Sequence, residues 1–139
     1  MKRVLFDVNV VLDVLLDRRP YAEASAAAWA AVETRIAEGL LAAHAVTTIH
    51  YLVRKEMGAT KARRIISAIL RLFGIAAVDG AVIQEALQLS CHDFEDAVTA
   101  AAARLASCDY IVTRDPRGFH GSAVRSLSPE VVIPLLGKE

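Results

Sequence analysis

Four aspartates in three separate segments of the chain are the side chains best suited to chemistry: Asp7, Asp93, Asp96 and Asp115. Carboxylates that share one site repel each other, and burial raises their pKa values unless a cation compensates. Oxygen ligands are those that hard cations such as Mg²⁺ or Mn²⁺ prefer. Such an ion activates water and neutralises charge on a phosphate, as metal-dependent nucleases require.

The pattern of apolar residues places these acids next to predicted strands. Asp7 directly follows a predicted strand over residues 4–6, and Asp115 follows the clearest strand, residues 110–113, after one residue. Asp93 and Asp96 stand at the start of the helix that leads into that second strand. Because ligands bind beyond the carboxyl ends of parallel strands, the sequence predicts that these carboxylates meet at one edge of a sheet.

The rest of the chain alternates between strand and helix patterns, which predicts a three-layer α/β/α sandwich around a mostly parallel sheet, in one domain over residues 1–139. Further strands are predicted at residues 40–43, 75–78 and 131–133. Helices are predicted at residues 10–16 with Asn9 as N-cap, at 20–39, from Thr47 or Thr48 to 58, and at 59–74. Two more are predicted at residues 79–89, capped by Asp79, and at residues 93–106, capped by Asp93.

Composition limits the class of protein. The 139 residues carry no net charge, and 55% hydrophobic with 23% charged residues excludes disorder. Charges interrupt every apolar run before it reaches the length of a membrane span, and Asp7 and Asp13 interrupt the only segment that resembles a signal peptide. Two cysteines fit neither a disulfide scaffold nor a zinc site. We therefore expect a cytoplasmic protein without membrane attachment.

Charge is distributed unevenly despite the neutral total. Residues 54–71 hold six basic side chains and one acid, whereas residues 79–96 hold five acids and no Lys or Arg. Arg63 and Arg64, in the basic stretch, could meet a polyanion such as RNA. The alternative is that this stretch is simply the solvated side of a helix.

Three of these four acids also have a purely structural interpretation. Asp93 and Asp96 have the spacing of a capping box, in which Asp93 accepts hydrogen bonds from the free N–H groups at a helix start. Residues 115–118 could form an ordinary turn, with aspartate first and proline second. Only the joint placement of the acids favours a functional site.

Three motifs together resemble the PIN domain family. DVNVVLD at residues 7–13 resembles its opening motif, and DFEDA at residues 93–97 resembles its third motif, in which the carboxylate matching Asp96 binds metal. IVTRD at residues 111–115, followed by Phe119, resembles the closing motif. The motifs occur in family order and with family-like spacing over nearly the whole chain.

This resemblance implies a PIN fold and Mg²⁺- or Mn²⁺-dependent cleavage of RNA. Small bacterial members are mostly VapC-like toxins, usually homodimers that pair with an antitoxin protein. On the matching positions, the expected catalytic and metal-binding residues are Asp7, Asp96 and Asp115. The expected supporting residues are Asn9, Asp93 and Thr113, and the expected contacts to RNA phosphates are Arg63, Arg64, Arg114 and Arg117.

One departure from the family pattern concerns the second motif. PIN nucleases place a glutamate on the helix after the second strand, but TTIHY occupies residues 47–51 here, and Glu56 comes too late. His50 could replace the missing acid or could be a bystander. The departure leaves open an alternative function, a catalytically weak module that binds RNA or protein. A receiver-type signalling domain or a zinc site at Cys91, His92 and Cys108 has less support.

Overall fold

The computed structural model describes residues 1–138, within which five strands form one parallel sheet. The strands are β1 Lys2–Phe6, β2 Ala37–Ala42, β3 Gly74–Ala76, β4 Tyr110–Val112 and β5 Arg125–Leu127. Their spatial order is β3-β2-β1-β4-β5, and every neighbouring pair is parallel. The first strand therefore lies at the centre, between β2 and β4.

Seven α-helices in this part of the chain cover both faces of the sheet. They are α1 Val8–Leu15, α2 Ala22–Glu33, α3 Ala43–Met57, α4 Ala59–Leu72, α5 Gly80–Ala86, α6 Phe94–Leu105 and α7 Pro129–Leu136. A short 3-10 helix, Pro116–Phe119, follows β4. The predicted three-layer sandwich with a parallel sheet is confirmed.

Two apolar cores lie on opposite faces of the sheet. Val4 and Phe6 of β1 pack with α1, α2, α3, α4 and α7, whereas Leu5 packs with α5 and α6. Because β1 is buried on both faces, it is a continuous apolar run rather than an alternating one. Helix α6 buries seven consecutive residues, five of them alanines, so that it can lie close against the sheet. In residues 1–138, no helix is both long and apolar enough to cross a membrane.

The predicted helix over residues 20–39 was too long. Helix α2 ends at Glu33, and Arg35 then takes a left-handed conformation with φ 60°. Gly39, which was predicted to end the helix, lies inside β2, where a Cβ atom would come 2.7 Å from the Phe73 ring and 2.8 Å from Val32. The glycine thus permits close packing of side chains over the strand.

The predicted last strand, residues 131–133, was wrong because this segment belongs to α7. Proline at the first helical position, Pro129, is already set to helical φ and has no N–H to leave unsatisfied. The helix packs on α2 and buries Val132 and Leu136. The last strand is instead β5, a short edge strand.

Two helix starts also differ from the predictions. Helix α3 begins at Ala43, directly after β2, and so Thr47 and Thr48 lie inside it. Asp7 rather than Asn9 is the N-cap residue of α1. The caps predicted at Asp79 and Asp93 are confirmed, because each carboxylate accepts an N–H from three residues later, at 3.1 and 3.2 Å.

Candidate active site

Strand pairing between β1 and β4 brings two of the predicted site segments together. The N–H of Asp7 donates to the carbonyl of Val112 at 3.0 Å, which extends the ladder beyond β1. The hydroxyl of Thr113, which is buried, donates to Oδ2 of Asp7 at 3.0 Å and accepts the N–H of Asp115 at 3.1 Å. Thr113 thus fixes both aspartate segments with one side chain.

Asp96 approaches the same edge from the start of α6. Its own N–H is held by the Asp93 carboxylate, which fixes the first turn of the helix. A Cβ atom at Gly118 would lie 3.1 Å from Oδ2 of Asp96 and 3.3 Å from Oδ2 of Asp115. Gly118 therefore borders a space that both carboxylates face. Its backbone does not have positive φ, so that space, and not conformational strain, makes glycine suitable here.

The electrostatics of the cluster show that these acids interact. Burial first, and then the negative charges of Asp7, Asp93, Glu95 and Asp115, raise the pKa of Asp96 to about 7. Burial also raises the pKa of Asp7, against the opposing hydrogen bond from Thr113. Carboxyl groups that resist ionisation in this way mark a place where a cation would be stabilised.

We expect the Asp96→Asn protein to be more stable than the original at pH 7.5 in the absence of divalent cations. Between the ordinary aspartate value and about pH 7, the folded state keeps a proton that the unfolded state has lost, and so stability falls as pH rises. Solvent screening reduces the expected gain in the free energy of unfolding to about 1–2 kcal/mol. Urea unfolding from pH 4 to 7.5 measures it.

The control for this prediction is Glu56→Gln, which neutralises an exposed carboxylate on α3. Its stability difference from the original protein should change little with pH. A difference for Asp96→Asn that is constant from pH 4 to 7.5, or a destabilised variant at pH 7.5, would contradict the electrostatic account of the cluster.

The donor set suits a hard divalent cation. The groups facing the Gly118 space are carboxylate oxygens, which Mg²⁺ and Mn²⁺ accept as ligands. Over residues 1–138, no three His, Cys, Asp or Glu side chains form a ready-made metal cage. Mg²⁺ does not need one, because it typically binds one or two carboxylates and completes its shell with water and substrate phosphates. The residues present therefore fit such an ion.

The other predicted site residues occupy different surroundings. Asn9 lies in the first turn of α1, exposed, and accepts a hydrogen bond from Arg18 at 3.3 Å. Arg117 is exposed in the 3-10 helix beside the carboxylates, and Arg63 and Arg64 are exposed on α4. These three arginines are open to solvent, as contacts to a polyanion would require.

Arg114 differs from them because it is paired with a buried acid. Its Nε lies 3.0 Å from Oδ2 of Asp13, a side chain with 0% exposure, and its guanidinium lies 4.1 Å from the centre of the Tyr21 ring. The same oxygen of Asp13 accepts the hydroxyl of Ser25 at 3.2 Å. In the described chain, Oδ1 of Asp13 has no hydrogen-bond partner. Arg114 thus compensates the negative charge of an acid that α1 buries.

The sequence did not single out His44, which lies in the first turn of α3. His50 lies in a groove between α3 and α4 that Arg63 and Ile66 also line. His44 instead lies two residues after the end of β2, and its Nε2 is 3.4 Å from the hydroxyl of Thr99, one turn after Asp96 on α6. His44 lies close to the end of β2, and this position would have drawn attention to it. Because the helix was predicted to begin only at Thr47 or Thr48, the position was not recognised.

Several solved structures have a similar fold. The FitAcB structure from Neisseria gonorrhoeae is similar, with a TM-score of 0.72 and 24% identity over 91% of this chain and 98% of that chain. A toxin–antitoxin complex from Klebsiella pneumoniae has a TM-score of 0.68 and 19% identity over 91% and 97%. DNA-bound VapBC from Salmonella typhimurium has a TM-score of 0.67 and 11% identity over 93% and 99%.

The sequence itself identifies the family. No curated protein matches the chain. The family model described as PIN domain, however, matches residues 3–117. This range includes the three motifs that carry the resemblance, at residues 7–13, 93–97 and 111–115. The chain belongs to the PIN domain family.

Proposed function

We propose that this PIN domain is a Mg²⁺- or Mn²⁺-dependent endoribonuclease. The observation that carries the proposal is the set of interacting carboxylates of Asp7, Asp96 and Asp115 at the carboxyl edge of the sheet. Three segments far apart in sequence supply these carboxylates. Their arrangement raises the pKa of Asp96 and lowers the stability of the metal-free fold. Family membership supports the same conclusion.

In the proposed mechanism, Asp7, Asp96 and Asp115 would hold the ion, which when bound activates water and neutralises charge on the phosphate. The hydroxyl of Thr113 bonds to both Asp7 Oδ2 and the backbone N–H of Asp115, and so it fixes the position of one relative to the other. Asp93 does the same for the first turn of α6, which carries Asp96. These hydrogen bonds orient the carboxylates before the substrate arrives, so that little reorganisation remains.

Exposed arginines would bind the RNA backbone. Arg117 lies within two residues of Asp115, close enough to contact phosphates that flank the cleaved bond. Arg63 and Arg64 on α4 would add contacts that do not depend on base sequence and weaken with salt. Arg114 would also attract phosphates, but more weakly, because Asp13 already neutralises part of its charge.

The decisive experiment is RNA cleavage by the purified chain with Mg²⁺, with Mn²⁺ and with excess chelator. Cleavage that requires either ion and stops in chelator supports the proposal. Cleavage that continues in chelator would overturn the metal requirement. Tight RNA binding without cleavage under any of these conditions would favour the alternative function, a binding module. The absence of the second-motif acid is the reason to consider that alternative.

We expect Gly118→Ala to weaken divalent-ion binding by crowding the carboxylates of Asp96 and Asp115. The new methyl group would enter the space that Asp96 and Asp115 face, at 3.1 and 3.3 Å from their oxygens. Titration with Mn²⁺, followed by calorimetry, should show an affinity at least about tenfold lower, the scale that disturbing the surroundings of metal ligands produces. Gly137→Ala, in open space near the end of α7, is the matched control. Equal affinity in both variants would place the ion elsewhere.

We also propose that the chain is the toxin of a toxin–antitoxin pair and forms a homodimer. The similar structures include toxin–antitoxin complexes, which supports a protein partner for this chain as well. A short neighbouring reading frame that encodes a DNA-binding protein, and co-purification of its product with this chain, would support the pairing. A genome without such a neighbour would favour a housekeeping ribonuclease.

A further inference from the structure

A cavity of about 280 Å³ has Arg114, the residue before Asp115, in its wall. Its walls are residues 20, 21 and 25 around the start of α2, Arg114 after β4, and residues 128–130 at the start of α7. The two strands β4 and β5 both end at this cavity, on the edge of the sheet that carries Asp115. Because Arg114 directly precedes Asp115, an RNA chain bound at Asp115 would have this cavity within reach of a neighbouring nucleotide.

The charges around the cavity do not favour an anion. The lining contains one cation, Arg114, and one anion, Glu130. The guanidinium is further compensated from behind by Asp13, which is buried and 3.0 Å away. A phosphate would therefore find little net attraction here, and a neutral group is the better occupant.

The shape and chemistry of the lining favour a flat, polar ring. Tyr21 is 44% exposed, and the planar guanidinium of Arg114 lies 4.1 Å from its ring centre. The Ser128 hydroxyl makes no capping hydrogen bond within the described chain, and the exposed Glu130 carboxylate can accept N–H groups. The volume is below the roughly 300–1,000 Å³ of typical small-molecule pockets, so one ring system fits better than a whole nucleotide.

We propose that this cavity is a subsite for one nucleobase of the RNA substrate, beside the cleaved phosphodiester, and that it sets a base preference. Unpaired bases stack on aromatic rings and on arginine planes, and their edges hydrogen-bond to polar side chains. Tyr21 and Arg114 supply the stacking surface, while Ser128 and Glu130 supply the hydrogen-bonding groups. The inference rests on the proposed ribonuclease function.

The first test uses ligand binding and no cleavage. The chain without divalent ions is titrated with each of the four ribonucleosides and with ribose 5-phosphate, while backbone amide NMR signals are followed. At least one nucleoside should shift the signals of residues 21, 25 and 128 in a saturable way. Absence of any saturable shift, as expected if a partner protein's side chain occupies the cavity, or equal shifts with ribose 5-phosphate, would overturn the proposal.

Variants assign the binding to the cavity. Tyr21→Leu should weaken nucleoside binding by about 5- to 100-fold, whereas Tyr21→Phe, which keeps the ring, should retain most of it. Tyr51→Leu removes an aromatic residue that is 64% exposed on α3 and serves as the control. If Tyr21→Leu does not fold, Ser128→Leu fills the cavity from its other wall and should abolish the nucleoside shifts. Unchanged binding in the folded variants would overturn the assignment.

Cleavage then separates this inference from the proposed function. On RNA libraries, Tyr21→Leu should lose base preference at one position next to the cut, and Glu130→Gln should change which base is preferred, because an amide also donates. If the original protein binds nucleosides but cleaves no RNA, the ribonuclease proposal fails, and the cavity remains a nucleobase-binding site without a role in cleavage. If it cleaves RNA with the same preference in all these variants, the subsite fails and the ribonuclease remains.

Discussion

Asp7→Asn is expected to reduce RNA cleavage by about 100- to 1,000-fold without unfolding the protein. Metal-ion catalysis supplies several kcal/mol of transition-state stabilisation, and each ~1.4 kcal/mol is a factor of ten in rate. The asparagine oxygen can still accept the hydroxyl of Thr113, and so the geometry at the end of β1 should persist. Removing one negative charge from the cluster also relieves the repulsion that raises the pKa of Asp96.

The measurement is single-turnover cleavage in Mg²⁺ together with a thermal unfolding scan. Asp17→Asn is the matched control, because this carboxylate is 71% exposed and pairs only with the equally exposed Arg19 in the described chain. Its cleavage rate should match that of the original protein. Near-normal cleavage by Asp7→Asn would remove Asp7 from the mechanism, and a lower unfolding temperature would assign it a structural role instead.

Arg114→Ala is expected to destabilise the protein by about 3–5 kcal/mol, the usual consequence of leaving a buried charge without its partner. Asp13 has 0% exposure, and without Arg114 it would keep only the Ser25 hydroxyl. Burial already raises the pKa of Asp13, and Arg114 opposes that effect. The variant should therefore regain stability as pH falls, because the carboxyl group can then become neutral.

Chemical denaturation at pH 7.5 and pH 4 measures both effects. Arg104→Ala is the control, because it breaks a partly exposed ion pair with Glu85 and should therefore cost little stability. The double variant Asp13→Asn with Arg114→Met should recover much of the stability, since no unpaired charge stays buried. A loss for Arg114→Ala as small as that for Arg104→Ala would show that water reaches Asp13.

The central part of this fold could be predicted from the sequence because local and long-range signals agree there. Val4, Leu5 and Phe6 are apolar without alternation, as a strand buried on both faces requires, and Asp7 marks its end. The caps at Asp79 and Asp93 could also be predicted, because each depends only on a hydrogen bond to a residue three positions later. The meeting of Asp7 with Asp115 follows from parallel topology alone.

Elsewhere, tertiary packing decided against local preference. The β-branched residues 131–133 favour a strand, but Pro129 starts a helix whose apolar side is buried on α2. Gly39 looks like the end of a helix until Phe73 is known to lie over it. The pairing of Asp13 with Arg114 joins residues 101 positions apart, and no periodicity in either segment indicates it.

The hydrogen bond between Thr113 and Asp7 spans 106 positions of the chain, and this separation governs when the site can exist. During synthesis β1 leaves the ribosome first, yet one of its two neighbours in the sheet, β4, is made more than a hundred residues later. Closing so long a loop is slow and comes late in folding. Until β4 docks, Asp7 lies apart from Asp115, and a nascent chain carries both acids without the edge of the sheet on which they meet.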